Sequence, residues 1–219
     1  MEKTPRFTTV LGAFTLFFGT LFVLPLILAS FSFKNATIWS LLSYIFITIL
    51  LCFFYPFRFS KKIYAYGALT WLLAFPLATV TSEITALFMK KFYGYTEASQ
   101  LIAKQILALK PYPFLFTLML FITVFCVPLA EEILFRGLLQ KFLCSRLPKA
   151  AAILITALLF TFAHFNPQQG LGNVQILSAL FTLSLILSYI FDKWNCLMAP
   201  LALHQTFNAL SLVGLLIYE

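Results

Sequence analysis

Three charged residues lie close together in an otherwise apolar part of the sequence. Glu131, Glu132 and Arg136 follow residues 114–130, which carry no charge. A charge at the centre of a bilayer costs about 2.5–3.5 kcal/mol on insertion scales, so such residues are rare and commonly functional. Glu132 and Arg136 are four residues apart, which places them on one helical face as an ion pair. Glu131 points about 100° away from Glu132 and needs a different partner.

The two histidines of the chain are the candidate partners of Glu131. His164 and His204 both lie in apolar segments, and Asn208 follows His204 after four residues. A carboxylate beside an imidazole can hold and deprotonate a water molecule. Imidazole and amide N–H groups can donate hydrogen bonds to an oxyanion. No Ser or Cys lies beside a histidine in these segments, so hydrolysis here would use activated water.

Composition identifies the kind of protein in which these residues work. The chain has 219 residues, 62% hydrophobic and 10% charged, with a mean hydropathy of +0.96. Soluble domains carry about 25% charged residues, so residues 1–219 are expected to form a single transmembrane domain. The net charge of +8 is spread over short loops, which indicates topology and contact with membrane lipids rather than a nucleic-acid partner. The four cysteines are far apart in apolar runs, which predicts free thiols.

Apolar runs predict an all-α, polytopic helix bundle of about seven spans, with one short amphipathic helix at the membrane interface. The first three of these runs are each about 20 residues or longer, enough to cross a hydrocarbon core of about 30 Å. The predicted spans are residues 7–33, 38–57, 63–89, 113–142, 150–165, 174–191 and 196–218, and the amphipathic helix covers residues 96–110. The excess of Lys and Arg on one side places the N-terminus in the cytoplasm. A bacterial inner membrane is the expected location.

The span boundaries place the polar residues at similar depths. From the inner face, a rise of 1.5 Å per residue puts Glu131 at about 18 Å and His164 at about 21 Å. The same arithmetic puts His204 at about 12 Å and Asn208 at about 18 Å. Four polar side chains from three helices therefore fall in a layer roughly 10 Å deep. Isolated structural residues need not share a depth, so a common site is favoured.

Structural interpretations of these residues stand beside the functional one. A buried histidine often satisfies a hydrogen bond in a core, and Asn208 can join two helices through its amide. Glu132 and Arg136 are interpreted as structural support for the site. Glu83, alone in the third span, is interpreted as a polar contact inside the bundle or a partner for Arg136.

Three short motifs on successive spans together resemble the family of type II CAAX prenyl endopeptidases, Abi proteins and bacteriocin-processing proteases, the CPBP family. The motifs are Glu131-Glu132-x-x-Phe135-Arg136-Gly137, Phe160-x-x-x-His164 and His204-x-x-x-Asn208. They lie within residues 113–219, and no motif position departs from the pattern. The first 110 residues match only as generic spans.

The resemblance implies an intramembrane endopeptidase that cleaves a membrane-associated peptide or a lipidated protein without a covalent intermediate. It implies catalytic roles for Glu131, His164, His204 and Asn208. Cofactor use stays open, because Glu131, His164 and His204 are also a legitimate zinc set, whereas a metal-free site explains the same residues. A proton-coupled transporter and a non-enzymatic membrane scaffold are the alternative functions. The substrate and the oligomeric state are not fixed by the sequence.

Overall fold

The described part of the chain is almost entirely helical. The computed structural model describes residues 4–24, 27, 36–55, 59–95 and 101–218, and these contain no strand. The helices are α1 (Phe7–Val23), α2 (Ala36–Phe54), α3 (Lys61–Tyr93), α4 (Leu101–Leu107), α5 (Pro113–Cys144), α6 (Lys149–Phe162), α7 (Gly172–Trp194) and α8 (Met198–Tyr218). The predicted all-α fold is confirmed.

Four of these helices are long and apolar enough to cross a membrane. They are α3, α5, α7 and α8, the last counted to Ile217. Three further apolar helices are shorter, at Phe7–Val23, Ile38–Phe53 and Lys149–Phe162. The predicted ends of the first two spans, like residues 96–100 of the amphipathic helix, lie outside the described residues. An integral membrane bundle is therefore supported, while the total of seven spans stays a prediction.

The distribution of side chains suits a lipid environment. Large apolar side chains are exposed on the outside of the bundle, as Phe53 (82%), Phe114 (77%) and Ile217 (71%) illustrate. In contrast, Glu132 and Arg136 have no exposed surface. Ion pairs buried in a bundle with an apolar exterior are typical of a protein whose solvent is hydrocarbon.

Helix α5 occupies the centre of the bundle, because it packs against α1, α2, α6, α7 and α8. Its backbone is not uniform, since π-helical turns at Ile122–Cys126 and Ile133–Gln140 flank the α-helical turn Val127–Glu132. Pro128 contributes to this irregularity, because it lacks the N–H that an α-helix would use. π-helical segments are uncommon and frequently occur at functional sites.

Neighbouring helices bind backbone carbonyls in this irregular part of α5. Thr48 Oγ1 on α2 shares its proton between the Tyr44 carbonyl of its own helix at 2.7 Å and the Cys126 carbonyl at 3.2 Å. Asn208 Nδ2 on α8 donates to the Thr123 carbonyl at 2.9 Å. An unpaired carbonyl is expensive in an apolar environment, so these side chains both stabilise the wide turn and fix α2 and α8 against α5.

Close helix packing depends on glycine at two positions. A Cβ at Gly67 on α3 would overlap the carbonyl oxygen of Ala199 on α8. It would also lie 2.8 Å from the Cα of Ala199. A Cβ at Gly137 on α5 would lie 2.7 Å from the ring of Tyr55. The first contact is with backbone, which cannot rotate away. Small residues at such crossings are what lets membrane helices approach closely.

We expect Gly67→Ala to destabilise the protein, because α3 must move away from α8 to admit the methyl group. Overpacking of this kind costs about 1–3 kcal/mol, which thermal melting in detergent would detect. Gly12→Ala is the matched control, since nothing lies within 4 Å of a Cβ there. Equal melting temperatures for the two variants would contradict the close crossing.

Candidate active site

Three helices bring Glu131, His164 and His204 together. Glu131 Oε1 lies 3.7 Å from His164 Nε2, and Glu131 Oε2 lies 3.8 Å from His204 Nε2. Glu131 belongs to α5, His204 to α8, and His164 to the turn that follows α6. Helix α6 ends at Phe162 rather than at residue 165 as predicted. The depth argument thus correctly placed these three side chains next to one another.

Hydrogen bonds donated by Nδ1 determine how the two imidazole rings face Glu131. His164 Nδ1 lies 2.8 Å from the Phe160 carbonyl, and a carbonyl can only accept. His204 Nδ1 lies 2.8 Å from Glu132 Oε1, which as a carboxylate also accepts. The proton of each neutral ring is therefore assigned to Nδ1, and each Nε2 presents a lone pair towards Glu131.

The Glu131 carboxylate and the two Nε2 atoms that face it all accept hydrogen bonds, so a donor must lie between them. The separations of 3.7 and 3.8 Å are too long for direct hydrogen bonds. Glu131 Oε2 is buried and has no hydrogen-bond partner among the described residues. A small molecule that donates in two directions, such as water, suits this geometry. The arrangement can hold a water molecule and remove its proton.

Glu132 links His204 to Arg136. The same atom, Glu132 Oε1, accepts from His204 Nδ1 at 2.8 Å and from Arg136 Nη1 at 3.0 Å. Arg136 also donates through Nη2 to Ser184 Oγ at 2.7 Å, and its guanidinium lies 4.6 Å from the centre of the Phe160 ring. Its position is therefore fixed from three directions, and it in turn holds the carboxylate that orients His204.

Glu83 takes no part in this network. Its side chain is exposed on α3, whereas Arg136 is fully buried and bonded to Glu132 and Ser184. The interpretation of Glu83 as a contact inside the bundle or as a partner for Arg136 was therefore wrong. The charge of Arg136 is already matched by a carboxylate one turn away on its own helix.

Asn208 lies one helical turn beyond His204, on the same face of α8. One hydrogen of its amide is used by the Thr123 carbonyl. The second amide hydrogen remains for another acceptor. The structure thus places Asn208 at the interface of α5 and α8, next to the site, with its amide plane fixed by the irregular turn of α5.

The loop after His164 is closed by an asparagine that the sequence analysis did not single out. Asn173 Oδ1 accepts from the Asn166 backbone N–H at 3.0 Å. Asn173 Nδ2 donates to the carbonyls of Asn166 at 2.7 Å and Gly170 at 3.1 Å. This clamp fixes the backbone two residues after His164. The available signal in the sequence was the pair of asparagines, Asn166 and Asn173, at the two ends of an uncharged segment.

The sequence also predicts a possible zinc site at these residues. Glu131, His164 and His204 offer the ligand types that zinc uses. However, no group of three or more His, Cys, Asp or Glu side chains within the described ranges is arranged to hold a metal ion. Zinc use stays a prediction from the sequence, and no catalytic step is derived through a metal.

Comparison with known proteins agrees with the motifs. A family model described as type II CAAX prenyl endopeptidase Rce1-like matches residues 113–210. This part of the chain is similar to that family. The match covers a little under half of the chain, includes every residue of the three motifs, and excludes α1 to α4. The resemblance seen in the sequence is confirmed. Neither a curated protein nor a solved structure matches the chain.

We expect Arg136→Ala to destabilise the protein strongly. It leaves the fully buried Glu132 carboxylate without its cation, and breaking a buried pair costs about 3–5 kcal/mol. Melting in detergent is the measurement, with Arg146→Ala as the control, because Arg146 is exposed. An unchanged melting temperature together with lost activity would instead assign Arg136 to the catalytic group.

Proposed function

We propose that this protein is an intramembrane endopeptidase, which hydrolyses a peptide bond of a membrane-associated or lipidated substrate with activated water. The supporting observation is the orientation of two imidazole Nε2 atoms towards one buried carboxylate, Glu131. The Rce1-like match to residues 113–210 supports protease chemistry in general.

The first step of the proposed reaction is attack by water. A water molecule held by Glu131 and His164 loses a proton to the carboxylate, and its oxygen forms a bond to the carbonyl carbon of the substrate. The carbonyl electron pair moves to the oxygen and produces a tetrahedral oxyanion. The proton on Glu131 then passes to the leaving nitrogen as the C–N bond breaks. One water molecule is consumed, and a carboxylic acid and an amine are formed.

His204 and Asn208 are proposed to stabilise the oxyanion. His204 donates from Nε2 only when that nitrogen also carries a proton, and Glu132 at Nδ1 gives such an imidazolium an anionic partner. Asn208 has one amide hydrogen left after its bond to Thr123. Glu132 and Arg136 are proposed as positioning residues, because they act through His204 and the shape of α5.

Membrane placement follows from the same proposal. The bundle is proposed to lie in a bacterial inner membrane with the N-terminus in the cytoplasm, as the distribution of basic residues predicts. Its partners are then membrane lipids and a peptide or lipidated protein substrate. No role in nucleic-acid binding is proposed.

Glu131→Gln is the central test of the proposed reaction. It preserves the shape of the side chain but removes the base, so cleavage of a membrane-tethered peptide should fall by about 10²–10⁴-fold with little change in melting temperature. Glu83→Gln is the matched control, because it makes the same change at an exposed acid outside the site. Covalent inhibitors directed at serine or cysteine should have no effect.

Several outcomes would contradict the proposal. Full activity in Glu131→Gln, or an acyl adduct on any Ser or Cys, would falsify the water-based mechanism. Proton-coupled uptake into vesicles without cleavage would instead favour a transporter. Comparing membrane peptides from cells that carry the wild type or Glu131→Gln would identify the substrate, since uncleaved precursors should accumulate in the variant.

A further inference from the structure

The interface between α5 and α7 carries polar side chains one helical turn apart on both helices, here called the polar seam: Arg136 and Gln140 on α5, and Ser184 and Ser188 on α7. Arg136 Nη2 donates to Ser184 Oγ at 2.7 Å. Gln140 Nε2 donates to the Ser188 carbonyl at 2.8 Å. Both pairs are 48 residues apart in sequence, so the two helices keep one register along the seam.

Three polar atoms of the polar seam are buried without a hydrogen-bond partner in the described part of the chain. They are Gln140 Oε1, Ser188 Oγ and Arg136 Nε. Gln140 is 1% exposed and Ser188 is fully buried. An unsatisfied buried polar group is destabilising, and three of them within two helical turns are too many for a well-packed interface.

The types of these atoms define the ligand that would satisfy them. Gln140 Oε1 only accepts, Arg136 Nε only donates, and Ser188 Oγ does both. The ligand must therefore donate and accept. An anion is disfavoured by the amide oxygen and by the nearby Glu132, and a cation is disfavoured by Arg136. A neutral molecule as small as water meets these conditions.

We propose that the polar seam is a built site for buried water, with one water molecule bridging Gln140 Oε1 and Ser188 Oγ. The two atoms belong to residues already joined by a hydrogen bond, so one molecule can reach both. Arg136 Nε, one turn away, is the donor for this water or for a second one.

The polar seam lies between the candidate active site and a partly exposed ion pair. At one end, Arg136 binds Glu132, which binds His204. At the other end, Asp192 follows Ser188 by one turn, and its side chain is 26% exposed and paired with Lys149 at 3.2 Å. The proposed water therefore lies between His204 and the partly exposed Asp192.

A double-mutant cycle tests the bridging water without any assay of activity. The variants are Ser188→Ala, Gln140→Met and the double variant, compared by melting temperature in detergent. If water binds Ser188 Oγ, Ser188→Ala should lower the melting temperature by about 2–4 °C. If the hydroxyl has no partner, removing it should leave the melting temperature unchanged or raised, which would overturn the proposal.

The double variant distinguishes a shared water from separate effects. With a bridging water, the two losses overlap, so the double variant should lose clearly less than the sum of the single variants. Additive losses would contradict the bridge. Ser184→Ala is the matched control on the same helix. Its hydroxyl has a protein partner, so its loss shows that the assay resolves one buried hydroxyl.

A wild-type structure that resolves ordered water gives the direct test. The expected result is a water peak within about 3.2 Å of both Gln140 Oε1 and Ser188 Oγ. Gln140 Oε1 and Ser188 Oγ in contact with apolar groups, with no such peak, would overturn the proposal. Because neither test measures cleavage, a failed water site would leave the proposed protease function to stand or fall on its own.

Discussion

The structure depends on one carboxylate, Glu132, which has no exposed surface. A charge in that position is tolerated only with its partners present, and a single oxygen atom accepts from both Arg136 and His204. These partners come from α5 and α8, and Arg136 extends the contact to α7 through Ser184. The cost of leaving this charge unpaired therefore aligns three helices at the depth where the candidate chemistry lies.

The two adjacent acids of the motif consequently have different tasks. Glu132 has a structural task, because its Oε1 accepts hydrogen bonds from the Arg136 guanidinium and the His204 ring. Glu131 instead faces the Nε2 atoms of His164 and His204 at 3.7 and 3.8 Å, without a direct hydrogen bond to either. The difference arises from a rotation of about 100° between neighbouring residues on a helix. The Glu132 carboxylate is thereby paired with a cation, whereas the Glu131 carboxylate remains available to react.

The sequence predicted the gathering of Glu131, His164 and His204, because depth along a helix depends only on residue count. It did not predict the bond from Glu132 to His204, since Arg136 alone already explained Glu132. Rotation about each helix axis decides such contacts, and the π-helical turns of α5 change that rotation. The roles of Ser184 and Asn173 were not predicted, for a related reason. Their roles come from the partner helix or loop, which the spacing of residues along one segment cannot show.

The length of α6 has a consequence for the surrounding lipid. Its 14 residues rise about 21 Å, whereas a hydrocarbon core is about 30 Å thick. A helix shorter than the hydrocarbon core is accommodated by local thinning of the bilayer, by flanking side chains that reach the interface, or by oligomerisation. His164 and the polar loop held by Asn173 follow the C-terminal end of α6. We therefore expect the thickness of the host membrane to act on the turn that carries His164.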